Sequence, residues 1–169
     1  MLENLSVREL INLQKFQELA KEAISSIEEK IKEALGIETK VECKGEDVPE
    51  VKSVIGALLS VDAGKQPKLK VESLGKDKAP ELEELDEGLV NGFPLDIKLL
   101  ADDEEVQPNV PITIRMGIPK GIDKNKEIKV VHFGKNGKNM LDVALFGEEM
   151  EFTTDGFSTF VVVNVESAT

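Results

Sequence analysis

The chain has 169 residues, and 21 Lys plus Arg against 33 Asp plus Glu leave a formal charge of −12. That length suits one domain, or one domain with an appendage, and a pI near 4.6 excludes sequence-independent binding to nucleic acid or anionic lipid, which needs clustered Lys and Arg. No apolar run approaches the roughly 18 to 20 residues that cross a bilayer, so no membrane insertion is expected. One cysteine, Cys43, excludes an internal disulfide, and with His132 as the one histidine an ordinary zinc site cannot be assembled. Trp and Tyr are absent, which removes the usual aromatic platforms for nucleic acid and the commonest hot spots of protein interfaces.

The first 36 residues read as one amphipathic helix. Ser6 and Glu9 form a capping box, and Leu13, Phe16, Ala20, Ile24, Ile27, Ile31 and Leu35 follow at spacings of three and four. Gly36 is suited to end the helix in a left-handed conformation. The stripe needs a cover. Packing on the chain's own sheet is the preferred reading, and a coiled coil with a second copy or with upstream sequence is the rival.

Residues 37–169 read as one β-sandwich domain. Ile37, Thr39, Val41 and Cys43 alternate with charged residues, which describes a half-buried strand and places Cys43 among small buried hydrophobes. Short helical insertions are expected near 49–60, where Val51, Val54, Ile55 and Leu58 share a side, and near 80–89. Lys68 to Leu74 alternates again. The region 77–105 holds 11 acidic and 2 basic residues, and it reads as a solvated face, with a cation or basic partner as the alternative.

From Phe93 the pattern is all-β. Leu95, Ile97 and Leu99 alternate with Asp96 and Lys98; Pro111 to Pro119, Glu127 to Phe133, Met140 to Phe146, Met150 to Thr154 and Phe157 to Val165 are further strands. Asn136-Gly137 signals a hairpin. Five of the seven phenylalanines lie at or beyond Phe133, so the aromatic core belongs to this part. The expected fold is α+β and β-dominated, an antiparallel sandwich of seven or more strands with a long N-terminal helix.

Candidate chemistry is sparse. His132 alternates with Val131 and Phe133, which puts it on an exposed face or a sheet edge, with neither a nucleophile nor an orienting carboxylate near it in sequence. Asp102-Asp103-Glu104-Glu105 lacks the alternating ligands of a calcium loop and reads as a turn between strands. Gly117-Ile118-Pro119-Lys120-Gly121 lacks the spacing of a phosphate loop and is a turn. No residue is therefore assigned as catalytic, cofactor-binding or metal-ligating.

The stretch Pro94–Val165 contains Val106-Gln107-Pro108, Pro111-Ile112-Thr113-Ile114, Ile118-Pro119, Val130-Val131-His132-Phe133 and Phe152-Thr153-Thr154-Asp155-Gly156-Phe157-Ser158-Thr159-Phe160. In that order these resemble a sandwich module common in large surface proteins of Gram-positive bacteria, and the last strand is similar to one in ZU5-like domains. The resemblance implies an Ig-like or ZU5-like sandwich in a secreted, cell-wall-associated protein. Its implied role is non-catalytic, as a spacer or as an adhesive domain binding protein or glycan on a host or neighbouring cell. The chain shows no signal peptide, so the resemblance also implies a fragment of a longer precursor.

Three alternatives accompany that reading. One is self-association through the N-terminal helix. Another is self-cleavage, since some ZU5-like relatives cut their own backbone at His-Phe-Ser. Phe157 and Ser158 match that motif, whereas Gly156 stands at the histidine position. The last is a Lys–Asn isopeptide crosslink, for which Lys98, Lys129 and Asn164 are residues of suitable type, although spacing selects no pair.

Overall fold

A computed structural model of the chain describes residues 21–34, 36–61, 65–74, 79–134 and 137–166. Period-two alternation yields eleven strands among these residues: β1 (Lys40–Lys44), β2 (Val51–Ile55), β3 (Pro67–Ser73), β4 (Leu89–Ala101), β5 (Glu104–Val106), β6 (Ile112–Gly117), β7 (Glu127–Gly134), β8 (Gly137–Asp142), β9 (Ala144–Phe146), β10 (Glu149–Thr154) and β11 (Thr159–Val165). One sheet runs β1-β3-β4-β11-β7-β8, with β5 also on β4, and the other runs β2-β6-β10-β9. The β1–β3 pair is parallel and the remaining pairs are antiparallel.

The two sheets face each other across one core, as in a β-sandwich. Leu69, Leu95, Ile97, Leu99, Val130, Phe160 and Val162 come from the first sheet, and Ile112, Ile114, Met116, Met150 and Phe152 from the second. Each burial of such a side chain contributes about 1.5–3 kcal/mol relative to leaving it in water. The strand β11 sits at the centre of the larger sheet and is apolar on both sides. Phe160 and Val162 face the core, while Val161 and Val163 join Val131 in a second cluster on the outer face.

That outer cluster explains the acidic segment. Pro80–Glu84 forms a 3₁₀ turn. Leu82 and Leu85, three residues apart, descend onto the outer face of the sheet, and Glu83, Glu84, Asp86 and Glu87 remain exposed. Gly92 on β4 makes the approach feasible, because a Cβ there would lie 2.7 Å from Leu82 Cδ2 and 3.1 Å from Val161 Cγ1. The expected short acidic helix or turn at 80–89 is thus the 3₁₀ turn, and β4 already begins at Leu89. The acidic tip Asp102-Asp103 is the turn between β4 and β5, with both residues at positive φ.

Several expectations need correction. The helical insertion at 49–60 is instead strand β2 followed by a 3₁₀ turn at Leu58–Ser60. A bulge between Val51 and Ser53 inserts one residue, so Val51 and Val54 both reach the core at a spacing of three that mimics a helix. The single strand expected from Met140 to Phe146 is two, since the chain passes from one sheet to the other at Val143. Strand β1 is exposed along its whole length, and Cys43 is exposed with it, because β1 forms a sheet edge.

The helix α1 occupies residues 21–34; Ser6, Glu9, Leu13, Phe16, Ala20 and Leu35 lie outside the described residues. Gly36 does close it, at φ 67°, with its N–H donating to Lys32 O at 2.8 Å. The packed side is not the expected stripe. Ile24, Glu28 and Ile31 turn inward, while Ile27 remains 47% exposed. Glu28 is the anchor: its carboxylate accepts from Gly56 N at 2.7 Å and Leu59 N at 3.2 Å. Burial raises its pKa, and the same amides act in the opposite direction. Lys21 pairs with Glu151 on β10 at 3.0 Å. No helix of the described residues is long and apolar enough to cross a membrane.

Ile97→Ala is expected to lower unfolding free energy by about 2–5 kcal/mol in guanidinium titration. Val41→Ala, at the exposed edge, should change it by less than about 0.5 kcal/mol. Glu28→Ala strands buried amides and should cost about 1–3 kcal/mol, with Glu28→Gln recovering part of the loss. Hydrogen exchange localised to α1 and residues 56–59 would verify the anchor, and unchanged exchange there would refute it.

Candidate functional site

The chain's one histidine and its most distinctive turn meet at one end of the sandwich. The strands β7 and β11 are neighbours whose register sets Phe160 opposite His132 and Thr159 opposite Phe133. His132 therefore shares the inward face with Phe160, and the two rings stack with centroids 4.4 Å apart and planes 7° from parallel. The expectation of an exposed or edge histidine is corrected: the ring is half-buried against the aromatic core. Phe157 meets Phe160 edge-on at 6.4 Å, and Phe152 lies at 5.9 Å from it.

The turn before β11 brings Ser158 beneath the ring. Its Oγ lies 2.8 Å from His132 Nε2 and donates to Phe133 O at 2.7 Å. The rest of the turn is equally tied. Phe157 N donates to Gln107 Oε1 at 3.2 Å, Thr154 Oγ1 donates to Gly156 O at 2.8 Å, and Ile97 N donates to Ser158 O at 3.1 Å. A side chain at position 156 would have room: its Cβ would sit 3.5 Å from Gln107 Oε1 and 3.8 Å from His132 Cε1. So Gly156 faces the very ring that reaches Ser158 from another strand.

Proton accounting gives the pair one self-consistent arrangement. A carbonyl oxygen only accepts, so the single Ser158 proton belongs to the bond with Phe133 O. His132 Nε2 must then carry its own proton and donate to Oγ, leaving the imidazole lone pair on Nδ1. A general base for Ser158 needs that lone pair at Nε2. In this arrangement the pair fastens β11 to β7. Burial holds the imidazole pKa below its ordinary value, and the Asp155 carboxylate acts weakly the other way.

The crosslink residues are not brought together. Asn164 is fully buried, and its amide is saturated: Nδ2 donates to Asp123 O at 2.8 Å and Glu127 O at 3.3 Å, while Oδ1 accepts from Asp123 N at 2.8 Å and Asn91 Nδ2 at 3.0 Å. Lys129 points from the opposite face of the sheet and bonds Asp142, which raises its pKa and keeps it charged. Lys98 alternates with the core residues Ile97 and Leu99 and lies 3.6 Å from Asp96 on the outer face. Gly117–Gly121 is the expected turn, pinned by Ile118 N to Glu148 O at 3.1 Å. Among the described residues no group of three or more His, Cys, Asp or Glu side chains is placed to hold a metal ion.

The pairing of His132 with Ser158 is not visible in sequence, because 26 residues and three intervening strands separate them. The clue was available in the parallel texture of Val130-Val131-His132-Phe133 and Ser158-Thr159-Phe160-Val161-Val162, both suited to central strands. Compared with known proteins, the chain matches no family model, no curated protein and no solved structure.

The depressed imidazole pKa fixes a sign. As pH falls through the ordinary histidine range, from about 7 to about 5.5, the unfolded chain takes up the proton first and stability is lost. His132→Gln should remove that part of the slope in denaturant titrations at several pH values. An unchanged slope would show that another group titrates.

Proposed function

We propose that the chain is a non-catalytic structural or adhesive module of a secreted, cell-wall-associated bacterial surface protein, acting as a spacer or protein-binding domain with an Ig-like or ZU5-like sandwich. The single observation that carries the non-catalytic part is the placement of Ser158 Oγ, which donates to Phe133 O at 2.7 Å and so leaves His132 Nε2, at 2.8 Å, to donate to it and not to act as its base. The resemblance over Pro94–Val165 supports the surface assignment, and the two sheets closing over a shared core support the module reading. The absence of Trp and Tyr favours protein contact or spacing over sugar binding, which sandwiches commonly achieve with exposed aromatics.

One distance favours a second reading. At 2.8 Å from His132 Nε2, Ser158 needs only a rotated hydroxyl and the other imidazole tautomer to become a nucleophile. Its Oγ would then attack the Phe157 carbonyl carbon, pass its proton through His132 to the Ser158 nitrogen, and exchange the amide for an ester that water splits.

The intact mass of the purified chain under denaturing conditions separates these readings. The proposal expects the mass calculated from the sequence. Two fragments parting between Phe157 and Ser158 would establish self-cleavage, and loss of one ammonia traced by peptide mapping to a joined lysine and asparagine, not to Asn136-Gly137, would establish an isopeptide crosslink; either result overturns the non-catalytic assignment.

A further inference from the structure

Among the described residues, the larger sheet ends on β1 and β8 and the smaller on β2 and β9. A free edge offers unpaired N–H and C=O groups to another strand, and natural proteins usually blunt it. The edge at β2 is broken by its bulge, and β9 is only three residues long. β1 carries Lys40, Glu42 and Lys44; pairing two copies about Glu42 would oppose Glu42 to itself and Lys40 to Lys44. Like charges directly opposite are destabilising. β8 has none of these defences: it is six residues long, regular in register, and exposes Met140 at 48%.

The register of β8 decides which of its groups are free. Gly134 pairs with Gly137 across a two-residue connection, so Gly137, Asn139 and Leu141 exchange hydrogen bonds with β7. Lys138, Met140 and Asp142 therefore turn their backbone N–H and C=O outward. Their side chains lie opposite Phe133, Val131 and Lys129, on the outer face of the sheet. The charges are placed symmetrically about Met140, with Lys138 two residues before it and Asp142 two residues after.

We propose that β8 is the docking edge for a second copy of this chain, paired antiparallel about a two-fold axis at Met140. In that register the outward groups of 138, 140 and 142 meet those of 142, 140 and 138, and Met140 lies against Met140 of the second copy. Each Lys138 stands opposite the second copy's Asp142. Within its own copy Lys138 already contacts Asp86 at 2.9 Å, and Asp142, 94% exposed at its side chain, contacts Lys129. Dimerisation joins these into a row of alternating charge, Asp86, Lys138, Asp142 and Lys129. The interface is isologous, one edge meeting itself, so it closes at two copies and leaves no free β8 edge. The larger sheet becomes continuous through the dimer.

Sedimentation equilibrium of the full chain over a wide concentration range tests this. The wild type should show a monomer–dimer equilibrium. Met140→Pro removes an outward N–H that β7 does not use, a position where edge strands tolerate proline, and should weaken dimerisation by at least about tenfold. Asp142→Lys faces Lys138 of the other copy with a like charge and should weaken it similarly, with circular dichroism confirming the fold of each variant. If Met140→Pro does not fold, Asp142→Lys decides alone. A wild type monomeric throughout overturns the proposal, as does a dimer that survives Asp142→Lys and is lost on Ile24→Ala with Ile27→Ala.

Discussion

The strand β11 must bury both of its faces and both of its edges, and most of the architecture follows from that constraint. Its backbone is satisfied by β4 on one side and β7 on the other. Its inward side chains fill the space between the sheets, and its outward valines need a second cover, which the Leu82–Leu85 segment supplies. The glycine at position 92 is the steric condition for that cover. A polar residue on such a strand is tolerated only if every hydrogen-bonding group finds a partner, since an unpaired buried group costs about 1–3 kcal/mol. Asn164 meets the condition with four bonds, and in doing so it holds the loop around Asp123 and the left-handed Asn91 at the bulge of β4.

Where alternation is regular, the strands were legible. Leu95, Ile97 and Leu99 are all fully buried as their spacing implied, and β3, β6, β7, β10 and β11 fall within a few residues of the expected spans. The failures have physical causes. A bulge turned the period of β2 from two to three and imitated a helix. A one-residue passage between sheets at Val143 left no turn signal, so β8 and β9 read as one strand. Edge position is a property of the whole sheet, which is why alternation placed Cys43 on an apolar face that the fold leaves open. On α1, a hydrogen-bonded carboxylate displaced an isoleucine from the packed side: Glu28 turns inward to cap the amides of residues 56–59, and Ile27 turns out.

The site was less legible than the fold. Sequence spacing separated His132 and Ser158 and assigned each to a different context, yet strand order makes them neighbours. Once together, their chemistry turns on a single proton. The carbonyl of Phe133 competes with the imidazole for the Ser158 hydroxyl, and the same three groups that tie a strand end could, with that proton moved, resemble a catalytic dyad. A serine beside a histidine is thus a poor indicator of hydrolytic chemistry until every acceptor around the hydroxyl has been counted.

The central strand is also the last strand of the described residues, and the order of synthesis makes this consequential. The β3–β4 and β7–β8 pairs can form without β11, but no backbone hydrogen bonding links β4 to β7 until β11 is placed between them. Until then two sheet fragments carry apolar faces and open edges that a nascent chain must keep from other partners. The link that completes the larger sheet sets Leu95 opposite Phe160, a long-range pairing across most of the second half of the sequence, and contacts of such separation are slow to form.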